Sequence, residues 1–160
     1  HIRGSTVFSE CGIYRPYLSR RWAEGRRMIM WLCMNPSSAT DTRDDATSRK
    51  LTRHSRRLGF DGLFLLNVMD FRETNPNELP QGNEVSQNNG RFIRRFAHLS
   101  DTIVLAYGGL QGRLAWRESA GVAVDACGDQ DFRCVAINRD NSPRHPRMFP
   151  ADFQLQRYPR

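Results

Sequence analysis

The sequence has no apolar stretch long enough to span a bilayer. A membrane-spanning helix needs about 20 apolar residues, and the longest apolar run, which begins at Met28, is far shorter. No signal peptide is evident. The four cysteines form no CxxC pair, which argues against a zinc site and a disulfide framework. These absences predict a soluble protein of the reducing cytoplasm, with no membrane partner.

Acidic residues are the second shortage. Seventeen Asp and Glu face 24 Lys and Arg, which leaves a net charge of +7. This balance favours an anionic partner, nucleic acid above all, although basic proteins without such a partner are common. No repeat, low-complexity tract or linker divides the 160 residues. Residues 1–5 resemble a vector remnant, so we predict a single domain over residues 6–160, with no obligate protein partner.

Apolar runs alternate with helical patterns along the chain. Four buried strands are predicted at 28–34, 63–69, 102–107 and 133–138, and helices at 45–58, 86–99 and 110–127. This alternation predicts an α/β fold, with a parallel sheet between two layers of helices. Segments 6–9 and 13–18 predict an N-terminal β-hairpin, with Pro16 restricting the second segment to an edge of the sheet.

Each predicted strand ends in polar or turn-forming residues. Asn35-Pro36 follows the first strand, Asn67 lies near the end of the second, and Tyr107 precedes two glycines after the third. The fourth strand leads to His145 between two prolines. Ligands of open α/β sheets bind beyond the carboxyl ends of the strands, so these groups are predicted to meet in one cleft.

A set of short motifs identifies the chain as a member of the bacterial and phage family known as domain of unknown function 1643. The motifs are Tyr14-Arg15, Met34-Asn-Pro-Ser-Ser-Ala39, Arg43-Asp-Asp-Ala-Thr47, Leu58-Gly59-Phe60, Leu66-Asn67-Val68 and Pro143-Arg-His-Pro146. They extend over most of the chain. The family label itself implies no activity.

The strand-end residues also resemble, more distantly, the motifs of the uracil-DNA glycosylase superfamily. Met34-Asn35-Pro36 matches its first motif, and Leu65-Leu66-Asn67 matches its base-reading strand. Tyr107-Gly108 and His145-Pro146 match its aromatic-Gly pair and its late catalytic loop. Met34 and Arg147 depart from the Gly and Ser that are usual there. The resemblance implies a four-stranded parallel sheet of order 2-1-3-4 in a three-layer sandwich.

The same resemblance implies a hydrolase that acts on a modified or damaged pyrimidine in DNA without a cofactor. Asn35 would orient water, and His145 would stabilise the departing base. Asn67 would read the base edge, while Tyr107 or Phe71 would stack on the extruded base. Phosphate contacts are expected from a basic set: Arg43, Arg49, Lys50, Arg53, Arg144 and Arg147.

Several alternatives remain open at the level of sequence. Asn35-Pro36 and His145 also suit plain turns, and the arginine-rich helix suits a solvated face. Asp41, Asp44 and Asp45 are typical of a helix N-cap, but three carboxylates beside the Asn-Pro turn would also suit a hard cation. The other predicted functions are therefore a metal-assisted enzyme on free nucleotides or nucleosides and a non-catalytic, base-flipping DNA-binding module.

Overall fold

The computed structural model describes residues 1–159, which form one seven-stranded mixed sheet and three α-helices. No helix among these residues is long and apolar enough to cross a membrane. The helices are α1 (Ala46–Arg57), α2 (Asn89–His98) and α3 (Leu114–Ala126). The strands are β1 (Arg3–Val7), β2 (Tyr17–Arg21), β3 (Met28–Cys33), β4 (Gly62–Asn67), β5 (Thr102–Leu105), β6 (Phe132–Cys134) and β7 (Gln156–Arg157).

The sheet has the strand order β1-β2-β4-β3-β5-β6-β7. Its four central strands, β4, β3, β5 and β6, run parallel, and antiparallel strands flank them on both sides. The α/β prediction is confirmed, and the four central strands follow the predicted order 2-1-3-4. They belong to a larger, mixed sheet, so the expectation of a sheet of four parallel strands alone is corrected. The edge strand β7 is only two exposed polar residues long, so it has no apolar run from which it could be predicted.

The central strand β3 divides two apolar cores. All six of its residues are buried. Ile29 and Trp31 pack on the side of α1, whereas Met30 and Leu32 pack on the side of α2 and α3. Because strand side chains alternate between faces, a continuous apolar run is what a strand covered on both sides requires.

The N-terminal hairpin is present but displaced from its prediction. Strands β1 and β2 pair antiparallel, with Arg3 opposite Arg21 and Val7 opposite Tyr17. Strand β2 is internal rather than at an edge, since it also pairs with β4. Pro16 comes directly before the strand, so its missing N–H costs the ladder no hydrogen bond.

The helices lie close to their predicted positions. Helix α1 begins after Asp45, which caps it as expected, and Gly59 follows its end with φ 86°. Helices α2 and α3 begin three and four residues later than predicted, at Asn89 and Leu114 instead of 86 and 110. Strand β6 ends at Cys134 rather than 138 because the chain then turns into an irregular loop, with a single bridge between Ile137 and Pro143.

After β3 and after β5 the chain continues on opposite faces of the sheet. After β3 it forms α1 on one face of the sheet, and after β5 it forms α3 on the other face. Such a divergence between neighbouring parallel strands opens a crevice at their carboxyl ends. The fold therefore provides a binding position between Asn35 and Tyr107.

Candidate active site

A cleft of about 650 Å³ lies at this crevice, and we name it the edge cleft. Its size falls within the range of small-molecule sites. The loop between β3 and α1 forms one wall, the loop after β4 forms a second, and the segments after β5 and β6 complete it. The lining residues are Met34, Asn35, Ser37, Asp45, Ala46, Thr47, Lys50, Glu73, Thr74, Pro76, Tyr107, Gly108, Gly109, Gln111, Trp116, His145, Pro146 and Arg147.

Asn35 is held at the cleft by its amide nitrogen. The Nδ2 group donates to the backbone oxygen of Glu73 and, at 3.3 Å, to that of Pro36. An amide oriented in this way leaves its oxygen, Oδ1, as the group available to accept a hydrogen bond. The contact with Glu73 also connects the first wall of the cleft with the second.

His145 reaches the cleft through a close approach to Gly108. A Cβ atom added at Gly108, which has φ 80°, would lie only 2.8 Å from the Cβ of His145. Both the left-handed backbone and the contact therefore require glycine. The Gly108 N–H donates to the oxygen of Pro143 at 2.9 Å, which holds the two segments together.

The imidazole of His145 is neutral and has a defined tautomer. Its Nδ1 accepts a hydrogen bond of 3.0 Å from the N–H of Arg147, so the proton of the neutral ring resides on Nε2. Burial lowers the pKa of His145 to about 4, and the charges of Arg147 and Lys50 act in the same direction. The ring is thus an uncharged N–H donor at neutral pH.

Two aromatic side chains, Tyr107 and Trp116, line the edge cleft. Tyr107 was predicted, and burial raises its pKa, so the phenol stays protonated. Trp116 was missed, although an aromatic residue early in the helix that follows Gly108-Gly109 is a detectable signal. The guanidinium of Arg113 stacks 4.1 Å above the Trp116 ring and donates to Oδ1 of Asn77 at 2.8 Å.

The other two predicted base-binding residues do not line the edge cleft. Asn67 is fully buried, and neither atom of its amide has a hydrogen-bond partner among residues 1–159. It lies in register with Cys33, two residues before Asn35 on the neighbouring strand, and so about 7 Å deeper in the sheet. Phe71 lies at a smaller adjoining cavity.

Of the six predicted phosphate-binding residues, only Lys50 and Arg147 line the edge cleft. Arg43 and Arg53 are exposed elsewhere, and Arg144 is half-buried. Arg49 is exposed, and its guanidinium donates to the backbone oxygen of Asp44 at 3.0 Å. The positive charge of this region is therefore spread beyond the cleft rather than concentrated in it.

Two of the three aspartates near the start of α1 have structural roles. Asp45 accepts from the N–H of Ser48 at 2.8 Å, and Asp44 forms an ion pair of 2.8 Å with Arg20. Asp41 is exposed. Within residues 1–159 no three potential metal-ligating side chains are grouped as a metal site would need. The N-cap interpretation of Asp45 is confirmed.

Two buried arginines position the loop that carries Asn35, a role that the sequence analysis predicted for neither. Arg15 donates to the oxygen of Ala39 at 2.8 Å. Arg20 donates to the oxygen of Thr40 at 2.5 Å and to Asp44 at 3.0 Å. On β2 the buried Arg20 alternates with the half-buried Tyr17 and Ser19, so a cation occupies one of the buried positions of the strand.

The comparisons with known proteins place the chain in one family. No curated protein and no solved structure shows a significant match, so the resemblance to uracil-DNA glycosylases stays a prediction. A family model described as "Protein of unknown function (DUF1643)" matches residues 15–147, which confirms the family expected from the motifs. The chain therefore belongs to this family of proteins of unknown function.

Proposed function

We propose that the protein hydrolyses the N-glycosidic bond of a modified or damaged pyrimidine in DNA, with the extruded base in the edge cleft. The observation that carries this proposal is the meeting of two complementary groups in one cleft. His145 presents a neutral N–H donor, and Asn35 presents a fixed carbonyl acceptor. Hydrolysis of this bond needs a donor for the base and an acceptor for water.

His145 acts on the departing base. As the bond between C1′ and the base nitrogen breaks, its electron pair moves onto the base, where negative charge collects on an exocyclic carbonyl oxygen. The Nε2–H of His145 donates to that oxygen. A preorganised donor in a partly desolvated site contributes about 10²–10³-fold to the rate.

Asn35 acts on the water. Its Oδ1 accepts a hydrogen bond from a water molecule and directs the water oxygen toward C1′, where positive charge develops. An amide cannot take the proton, so the proton passes to the departing base. The products are the free base and an abasic sugar.

The aromatic residues supply the base-binding surface. Tyr107 and Trp116 line the same cleft as His145, and flat aromatic rings stack on an extruded base. Asn67 has no contact with the base in this proposal, because it is enclosed below the cleft. The base edge is instead read by the Nε2–H donor of His145.

The cations support an anionic substrate. Lys50 and Arg147 lie close enough to His145 to lower its pKa, and both line the cleft. They suit the phosphates that flank an extruded nucleotide. With the net charge of +7, DNA binding is expected to weaken steeply as salt rises.

A second candidate is an enzyme that hydrolyses free nucleosides or nucleotides. It is favoured by the same charge distribution, because only two of the six predicted cations line the cleft. Two cations suffice for one terminal phosphate. A free nucleotide substrate with no measurable affinity for DNA would establish this candidate over the first.

The test is the formation of abasic sites and free base in oligonucleotides that carry a panel of modified pyrimidines. We expect His145→Ala to slow cleavage of every accepted substrate by about 10²–10³-fold. His98→Ala is the matched control, because His98 is exposed on α2 and remote from the edge cleft. No product from any base or free nucleoside, with folded protein that binds DNA, would establish the non-catalytic module instead.

A further inference from the structure

A second cavity adjoins the edge cleft, and we name it the flanking cleft. It has a volume of about 370 Å³ and is lined by Gly12, Ile13, Ser37, Ser38 and the segment 71–74. Ser37, Glu73 and Thr74 line both clefts. The Ser37 and Thr74 hydroxyl oxygens lie 3.2 Å apart, so a single hydroxyl pair bridges the boundary between the two. A ligand longer than one nucleotide can therefore extend from the edge cleft into the flanking cleft.

The flanking cleft contains a fixed aromatic ring. Phe71 is half-buried, and its N–H donates to the oxygen of Glu84 at 3.1 Å. Tyr14 packs against the ring at 5.6 Å with an angle of 88° between the planes. The Tyr14 hydroxyl is itself held by the oxygen of Asn83 at 2.8 Å. Phe71 is thus a rigid apolar surface of the kind on which a nucleobase stacks.

The same cleft contains a cation without a carboxylate partner. Arg72 donates through Nη1 to the oxygen of Gly12 at 3.0 Å, and its guanidinium stacks 4.7 Å above the ring of Phe8. Among the ion pairs of residues 1–159, none includes Arg72. Its charge is held in place and not neutralised, which suits a phosphate group.

From this geometry we infer that the flanking cleft binds the nucleotide that neighbours the target nucleotide in the same DNA strand. Phe71 stacks on the neighbouring base, and Arg72 binds the phosphate between the two nucleotides. The hydroxyls of Ser37 and Thr74 form the step over which the strand passes. This inference rests on the proposed function for the choice of DNA, and it adds a determinant of sequence context at a position outside the reacting nucleotide.

The experiment measures binding rather than cleavage. The probe is a short single-stranded deoxyoligonucleotide with a central deoxyuridine, and its affinity is measured by fluorescence anisotropy. Replacing the neighbouring nucleotide with a base-free spacer, first on the 5′ side and then on the 3′ side, removes one stacking base at a time. We expect the spacer on one side only to weaken binding by about 5- to 150-fold, the range of one stacked base.

Variants assign that effect to the flanking cleft. Phe71→Leu should abolish the difference between the two oligonucleotides, while Phe92→Leu, a half-buried aromatic residue on α2 outside both clefts, should preserve it. Arg72→Gln provides a second readout, because it should reduce the slope of log affinity against log salt by about one. It keeps the test decisive if Phe71→Leu does not fold.

The results separate this inference from the proposed function. A spacer effect that Phe71→Leu removes would support the flanking cleft even if no abasic product forms in the cleavage assay. Cleavage without any spacer effect, or a spacer effect unchanged in both Phe71→Leu and Arg72→Gln, would overturn the flanking cleft and leave the proposed function standing. No binding of any oligonucleotide would overturn the flanking cleft directly.

Discussion

The two faces of the sheet differ in the polarity of the side chains buried against them. On the side of α2 and α3 the core is almost entirely apolar: Ile93 and Leu105 are fully buried, and Asn89 is the one polar residue buried on either helix within the described residues. On the side of α1, buried polar side chains accompany the apolar ones: Ser48, Thr52, His54 and Ser55 are all buried on the helix itself. Both faces reach the edge cleft, the first through Trp116 of α3 and the second through the start of α1 and the loop before it.

This difference shows where the fold tolerates the free-energy cost of burying polar groups. Buried polar groups need partners, and several here have them: Ser55 donates to the oxygen of Leu51 at 2.7 Å and accepts from Trp31 at 2.9 Å. Others, including both ring nitrogens of His54, have none among residues 1–159. Such groups reduce stability. Among the helices, α1 contains such groups at Thr52 and His54, whereas α2 contains one at Asn89. They are thus more frequent on the helix whose first turn lines the edge cleft, as expected where position matters more than stability.

The largest effects should come from removing buried apolar volume on each face. Ile93→Ala and Leu51→Ala remove fully buried side chains, and each should cost about 2–5 kcal/mol in the free energy of unfolding, measured in urea. Only Leu51→Ala should also change the NMR signals of the His145 ring, because α1 lines the edge cleft and α2, which carries Ile93, does not. If the NMR signals of the His145 ring changed equally in both variants, the two helices would not differ in how they support the edge cleft.

The second effect concerns the anchor of the Asn35 loop. Arg20→Met removes charge-assisted hydrogen bonds to Thr40 and Asp44 and should cost about 1.5–3 kcal/mol. The proposed cleavage rate should fall in the same variant, since the loop it holds carries Asn35. Arg26→Met is the control, because it removes the same charge from an exposed position. A rate loss equal in both variants would indicate a general charge effect.

Part of this arrangement could be predicted from the sequence because parallel strands share an edge. Runs of buried residues locate the strand ends, so Asn35, Tyr107 and His145 were expected together, and all three line the edge cleft. Depth within a strand was harder to judge. Asn67 is the last residue of β4, but its register with Cys33 places it beneath the cleft.

The remaining features depend on contacts between segments far apart in the chain. The wall at 73–76 comes from a long loop after β4 whose path is set by hydrogen bonds to Asn35 and Arg113. No periodicity announces such a loop, and its length was the one available signal. Arg20 is likewise an ordinary strand arginine until the loop with Thr40 packs over it.

A third effect concerns Asn67 and should have the opposite sign. Asn67→Leu replaces an unpartnered buried amide with an apolar group of similar size and should stabilise the protein by about 1–3 kcal/mol in urea unfolding. Because Asn67 does not line the edge cleft, the range of accepted bases should not change. A change in base preference would restore Asn67 as a base-reading residue.

The smallest effect is a pH dependence that arises on the face of α1. Burial lowers the pKa of His54 to about 4, and the neighbouring charges of Arg53, Arg57 and Lys50 act in the same direction, while Asp152 opposes them. The unfolded chain, with an ordinary histidine pKa near 6.5, then binds a proton between pH 6.5 and 4 that the folded chain does not. The His54 contribution to stability is therefore present above about pH 6.5 and is lost as the pH falls toward 4.

His54→Leu should reduce the fall in melting temperature between pH 7 and pH 5, whereas His98→Leu, at an exposed site on α2, should leave it unchanged. His145 should maintain part of the fall in the His54 variant, because its pKa is lowered in the same direction. An unchanged fall in melting temperature in His54→Leu would show that the buried histidine on α1 is not a source of acid sensitivity. The two faces would then differ in where their polar groups lie and not in how their stability responds to pH.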